Sequence, residues 1–255
     1  MRRTTASRKD ESLTIVHARF QREPEELRAV SIEIGVAPYA EGSALISCGE
    51  TRVWCTASVE ERVPPWLESS GQGWVTAEYS MLPRSTHSRI RRDRASGSGR
   101  SQEISRLIGR SLRAGVDLNR LGPRTITVDC DVLQADGGTR TSAITGGFVA
   151  LELALGMLAR TRVIPRSPVT SRIAAVSAGI VGGEPRLDLD YHEDSSADVD
   201  CNVVMNSRGD FIEVQATAEG AALSGEQLNQ LLDLSRDGIQ QLMRVQLDAV
   251  GTPGP

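Results

Sequence analysis

Lysine is nearly missing from this chain. Among 29 basic residues Lys9 is the one lysine, so almost all positive charge is arginine. There is no G-x-x-x-x-G-K-[ST] segment, and Lys9 stands far from any glycine loop, which excludes a P-loop NTPase. Histidine is scarce too. His17, His87 and His192 are widely spaced and support neither a zinc site nor a Ser-His-Asp triad. The four cysteines, Cys48, Cys55, Cys130 and Cys201, form no C-x-x-C pair, and each lies in a strand-like apolar run. That pattern predicts buried, reduced thiols and suits a cytoplasmic protein. The N-terminus carries arginines without an apolar core, so it does not read as a secretory signal. No apolar run is expected to be long enough to span a bilayer, and no membrane partner is expected.

What is present bounds the answer further. A length of 255 residues fits one large α/β domain or two small ones, with a sizeable core. The net charge of −4 argues against a general nucleic-acid binder, which makes the distribution of charge more telling than its sum. Arginine forks onto phosphate with two parallel hydrogen bonds, which lysine cannot. Genomic base composition accounts for an overall arginine bias, but not for its clustering.

Alternation and helical spacing give the following elements. Short strands are expected at Val30–Ile34, Ala44–Cys48 and Val53–Val59, with a hairpin turn at Gly49-Glu50, and another strand at Trp74–Met81. A helix starts near Ser101, carries Ile104, Leu107, Ile108 and Leu112, and is stopped by Leu121-Gly122-Pro123. Thr125–Val132 alternates as a half-buried strand, and Ser142–Arg160 reads as a buried helix. Strands follow at Ile173–Val181, Leu187–Asp190, Val199–Met205 and Phe211–Ala216. The last helix runs from about Gly225 to Ala249, with Ser224 and Gln227 as a capping box and a buried stripe including Leu231, Leu242 and Leu247. Residues 1–22 read as a loose extension, 23–250 as a single domain and 251–255 as a disordered tail. This order predicts mixed sheets with helices packed on them, an α/β (α+β) chain.

Three segments carry candidate chemistry. Between the central strand and helix stands Gln134-Ala-Asp-Gly-Gly-Thr-Arg-Thr141. Glycines allow close backbone approach, and the first helical N–H groups point outward unpaired. An ordinary strand-to-helix turn is the alternative, and Arg140 at the helix entrance favours an anion site. The second segment places Arg84, Arg89, Arg91, Arg92, Arg94 and Arg100 within seventeen positions, against Asp93 alone. It reads either as a solvated charged loop or as an arm that follows a sugar-phosphate backbone. The third, residues 190–202, gathers Glu193, Asp194, Asp198 and Asp200. Carboxylates near phosphate-binding arginines are what Mg²⁺ requires, although a polar turn with helix-capping aspartates has the same composition.

At these residues the chain resembles the ribonuclease PH family. The matching segments are Gly71–Tyr79, Met81–His87, Glu103–Arg110, Asp129–Thr141, Glu193–Asp200 and Glu213–Gly220, in the family's order. The resemblance implies the RNase PH fold, a two-layer architecture of βαβ-type units like the ribosomal protein S5 domain 2-like fold. It also implies a homohexamer built as a trimer of dimers. The implied reaction is phosphorolysis, in which inorganic phosphate attacks the terminal phosphodiester of tRNA precursors and other RNA 3′ ends. That attack releases nucleoside diphosphates, and the reverse reaction adds nucleotides. By the same resemblance Gly138, Thr139, Arg140 and Arg100 bind phosphate, Asp194 and Asp200 are catalytic and hold Mg²⁺, and Arg84, Arg89 and Arg92 hold the RNA. Two other readings use the same residues: a non-catalytic RNA-binding ring subunit, and a small-molecule phosphate or nucleotide enzyme.

Overall fold

The computed structural model describes residues 22–91, 99–219 and 222–251. The first sheet is formed by β1 (Val30–Ile34), β2 (Gly42–Cys48), β3 (Thr51–Glu60), β4 (Trp74–Met81) and β5 (Thr125–Gln134), in the order β1-β2-β3-β5-β4. The second is formed by β6 (Ile173–Val181), β7 (Glu184–Leu187), β8 (Val199–Asn206) and β9 (Phe211–Ala218), in the order β7-β6-β8-β9. Helices α1 (Gly99–Arg113) and α2 (Leu118–Leu121) connect β4 to β5. Those two strands pair in parallel, forming the βαβ-type unit, whereas the other pairings among the described strands are antiparallel.

The expected alternation holds in β3 and β5. Val53, Cys55 and Ala57 face inward beside Ile126, Val128, Cys130 and Val132, all buried, whereas Arg52, Trp54 and Ser58 face out. Helix α3 (Thr139–Arg160) packs on β2 and β3 and also against β6. Its apolar composition suits that double burial. The approach to β2 is close: a Cβ at Gly42 would lie 2.0 Å from the Ala150 carbonyl oxygen. By length and composition α3 passes as a membrane span, contrary to the expectation that no such run exists, but 72% of its most apolar window is buried in the protein. It is a core helix between two sheets.

Helix α4 (Tyr191–Ser196) precedes β8, and α5 (Gly225–Val250) closes the second sheet. The α5 capping box forms as expected: Ser224 Oγ accepts from Gln227 N at 3.1 Å, and Gln227 Oε1 accepts from Ser224 N at 3.0 Å. Its stripe does not end as expected. Leu247 is 43% exposed, and the fully buried Gln246 takes the inward position. Gln246 Nε2 donates to the carbonyls of Thr145 (2.8 Å) and Ile173 (2.9 Å), bonds a leucine cannot make.

Other boundaries also moved for identifiable reasons. The helix expected to reach Leu121 stops at Arg113, because Val116 bridges to Val169 and Asp117 caps the separate α2. The strand expected at Leu187–Asp190 ends at Leu187. A tight turn at Gly182-Gly183 pairs Val181 with Glu184, which moves the strand three residues toward the N-terminus. Asp188 then turns out of the sheet at φ 54° and Asp190 caps α4. Arg22, the last residue of the expected loose extension, is anchored to Glu193 at 2.7 Å and to the Leu187 carbonyl at 2.9 Å. Residues 1–21 and 252–255 lie outside the described residues.

Candidate active-site cleft

The Asp-Gly-Gly-Thr-Arg loop leaves β5 and enters α3 along a path fixed by hydrogen bonds. Asp136 N donates to Thr51 Oγ1 (2.8 Å), and Thr51 Oγ1 donates to the Gly137 carbonyl (2.7 Å). Gly137 and Gly138 have φ of 76° and 61°, the left-handed region. Gly138 is the N-cap of α3 and supplies no side-chain cap. Amides without a side-chain cap, a setting that suits an anion, therefore remain at the start of a 22-residue helix. Helix α3 begins three residues earlier than its periodicity predicts, which puts Thr139 and Arg140 in the first turn.

Gly137 also sets the distance between this loop and the segment before α4. A Cβ there would lie 2.3 Å from the Leu189 carbonyl oxygen and 2.6 Å from the Asp190 carbonyl carbon. Strain and clash together are expected to make Gly137→Ala cost about 1–3 kcal/mol of stability. Differential scanning calorimetry checks this, and an unchanged Tm would refute it.

Beneath the loop lies an arginine that periodicity does not single out. Arg28 Nε and Nη2 donate to Asp188 Oδ2 (3.0 Å) and Oδ1 (2.7 Å), and Arg28 Nη1 donates to the Asp136 carbonyl. The Arg28 backbone N–H adds a bond to Asp188 Oδ2 at 2.9 Å. One guanidinium thus joins the anion loop to the residue that steers the chain into α4.

The acidic run divides by role. Asp190 Oδ1 accepts from His192 N (2.8 Å) and Glu193 N (2.9 Å), capping α4. Glu193 is buried, returns a bond to Asp190 N, and pairs with Arg22 and Arg186. Asp190 and Glu193 are structural, as the capping alternative predicts. Asp194 and Asp200 face a cleft of about 620 Å³ together with Arg100, Gly138, Thr139 and Arg140. The fold thus collects six of the expected residues, from α1, the loop, the first turn of α3, α4 and β8, on one cavity.

The electrostatics of the two aspartates are coupled. Burial pushes the Asp200 carboxyl above the ordinary value, and the charge of Asp194 pushes it further. Arg140, the Asn202 amide and Arg100 oppose that rise. Burial likewise raises Asp194, against Arg140, Arg100 and Arg28. Asn202 Nδ2 stands 3.4 Å from both carboxyl oxygens of Asp200. Thr139 Oγ1 shares a 2.8 Å hydrogen bond with the phenol of Tyr79, and Arg140 Nη1 donates to Gln215 Oε1 at 3.2 Å. Among the described residues no group of three or more His, Cys, Asp or Glu side chains forms a ready metal cage.

The two expected RNA arginines among the described residues, Arg84 and Arg89, do not line this cavity. Arg84 is exposed along a smaller groove of about 280 Å³ that also contacts Glu50 and Gln134. Arg89 is exposed and lines neither groove, and Arg92 lies outside the described residues. The chain between Arg84 and Arg89 is tied to the scaffold, since Ala135 N donates to the Ser85 carbonyl and Ile90 N to the Pro83 carbonyl. Sequence reasoning missed Arg28, Tyr79, Asn202, His87 and Tyr191. Asn202 was recoverable from its i, i+2 spacing to Asp200 on one strand face, and Tyr191 from its i, i+3 spacing to Asp194 once α4 is known.

This fold and cavity define a family. The profile of the 3′ exoribonuclease family, domain 1, matches residues 26–155, and domain 2 of the same family matches residues 171–238. The chain belongs to the 3′ exoribonuclease family. Within it, Ribonuclease PH of Methylobacterium sp. (strain 4-46) is 57% identical over 233 residues, covering 91% of this chain and 98% of that protein. Ribonuclease PH of Cereibacter sphaeroides (strain ATCC 17029 / ATH 2.4.9) is 56% identical over 232 residues, covering 90% and 98%. Solved structures share the fold. A chain of the Archaeoglobus fulgidus exosome with RNA bound to the active site gives a TM-score of 0.73 at 23% identity, covering 88% of this chain and 90% of that one. Rice (Oryza sativa) Rrp46 gives 0.74 at 18% identity, covering 91% and 99%.

Proposed function

We propose that this cleft performs phosphorolysis at RNA 3′ ends, tRNA precursors among them. The chain is a phosphorolytic 3′-to-5′ exoribonuclease, and the carrying observation is the convergence of an uncapped helix N-terminus, Arg100 and Arg140 on paired aspartates. An oxygen of inorganic phosphate forms a bond to the terminal phosphorus. The bond from that phosphorus to the 3′-oxygen of the preceding nucleotide breaks, that oxygen takes a proton, and a nucleoside diphosphate leaves. Two anions must meet for this to happen. Arg140, Arg100 and the first amides of α3 hold the nucleophile and neutralise its charge. Gly138 admits it closely, and Thr139, oriented by Tyr79, completes the cradle.

Asp194 and Asp200 suit Mg²⁺: two hard carboxylates in one cleft, raised together by burial, leave room for water and substrate phosphate. Bound there, the ion would supply Lewis-acid stabilisation of the scissile phosphate. Protonated, either carboxyl is fit to hold the proton that the leaving 3′-oxygen needs. Arg84, Arg89 and Arg92 are assigned to the RNA backbone. The assembly is a homohexamer, a trimer of dimers, which light scattering checks. All four cysteines are free and buried, which fits the cytoplasm, and cell fractionation tests that location.

The product assay is decisive. Single-stranded RNA incubated with the chain, Mg²⁺ and phosphate should release nucleoside diphosphates, and chelation by EDTA should stop the reaction. Monophosphate products, or turnover independent of phosphate, would sink the reading.

A further inference from the structure

The cleft is far larger than the anion that its loop can hold. About 620 Å³ is the size of a pocket for a nucleotide-scale ligand, and inorganic phosphate fills a small part of it. The wall where α4 begins, beside the loop, is aromatic. Tyr191 opens α4 and lies one helical turn before Asp194, so both present to the same cavity. Two imidazoles lie against its ring. His87 approaches edge-on at 6.2 Å between centroids with planes at 61°, and His192 at 5.8 Å and 70°. Neither contact covers it, since Tyr191 remains 50% exposed. His87 lines the same cavity, at the start of the arginine-rich segment.

A fixed ring, half open and adjoining a catalytic carboxylate, has a specific use. We infer that Tyr191, braced by His87, is a stacking platform for the unpaired nucleobase next to the scissile phosphodiester. Every base has a π-face, so such a platform accepts any sequence while demanding a single strand. It also adds binding energy that phosphate contacts cannot supply, and it positions the ester against Asp194 and Asp200. This inference rests on the cleft being the RNA 3′-end site proposed above.

Steady-state phosphorolysis of short RNAs tests it, using intact oligonucleotides and versions lacking one of the last two bases. Loss of a stacked base raises the RNA KM of the unaltered chain by about tenfold, the usual worth of one base–aromatic stack. Tyr191→Ala is expected to raise the RNA KM about tenfold on intact RNA, with no further penalty for a missing base and no change in phosphate KM. Tyr191→Phe should match the unaltered chain, because the ring acts and the hydroxyl does not. The proposal is overturned if Tyr191→Ala keeps the full penalty for a missing base, or if Tyr191→Phe is as impaired as Tyr191→Ala. Should the unaltered chain bind RNA yet release no nucleoside diphosphate, the phosphorolytic reading fails. The same base dependence, measured then as binding affinity, still decides the platform.

Discussion

Asp200→Asn is expected to lower kcat by about a thousandfold, with RNA affinity close to that of the unaltered chain. The substitution keeps the shape of the side chain and its place opposite Gly179 on β8. It removes the charge that the proposed Mg²⁺ would need and the proposed proton-holding function, neither of which bears on the arginines assigned to the RNA backbone. Stability should move the other way. Burial and the charge of Asp194 raise this carboxyl, so the folded chain holds the Asp200 proton more tightly than the unfolded chain does. The stability linked to that proton is present below the unfolded value and lost as pH rises through the folded one. At neutral pH the ionised Asp200 is therefore a cost to the fold, and a permanently neutral asparagine relieves it. Calorimetry in EDTA should show a higher Tm for Asp200→Asn at neutral pH, the difference shrinking in acid. A kcat within tenfold of the unaltered enzyme, or a lower Tm at neutral pH, would refute the assignment.

The same electrostatics shape the rate profile. Without metal both aspartates ionise above the ordinary aspartate value, so protons should compete with Mg²⁺ for the pair, and activity should fall, at higher pH than for solvated carboxylates. A site that costs stability to keep charged is a common signature of a functional centre.

Legibility from sequence followed the range of the physics. Val30–Ile34 and Trp74–Met81 alternate locally, Ile173–Val181 is a short run buried along nearly its whole length, and all three emerged with their bounds intact. Arg140 stood out at a glycine-rich helix entrance, whereas Asp194 and Asp200 were singled out from the acidic run by the family resemblance and not by their spacing. What failed depends on partners distant in sequence. Arg28 reads as an ordinary charged residue before β1, and its meaning comes from Asp188, 160 positions away. Leu247 fits a helical stripe, but its register is set by Gln246 reaching the Thr145 carbonyl across the core. Helix α4 is six residues long, too short for periodicity, and only its Asp190–Glu193 capping box marks it. The arginine segment shows the converse. Its composition suggested one continuous arm, whereas Arg100 joins the cavity from α1 and Arg84 faces a separate groove.

Arg140→Ala is expected to raise the KM for inorganic phosphate by about a hundredfold, the worth of two charge-assisted hydrogen bonds. The dissociation constant for RNA should stay within about threefold, as for one lost phosphate contact among several. Arg140 stands in the first turn of α3 beside uncapped amides, and its hydrogen-bond partner is the neutral Gln215 at 3.2 Å, so its charge is available to an incoming anion. Arg100 and the helix amides remain in the variant, which keeps phosphate binding measurable. A second consequence separates this substitution from a simple loss of affinity. Arg140 is the leading group that lowers Asp194, and it also lowers Asp200. Removing it lets burial push both carboxyls further up, so the acidic limb of kcat should shift to higher pH even at saturating phosphate. Arg140→Lys restores the charge but not the fork, and should recover the pH profile more fully than the phosphate KM. Equal losses of RNA and phosphate affinity in Arg140→Ala would show that the loop holds the RNA backbone and not the nucleophile.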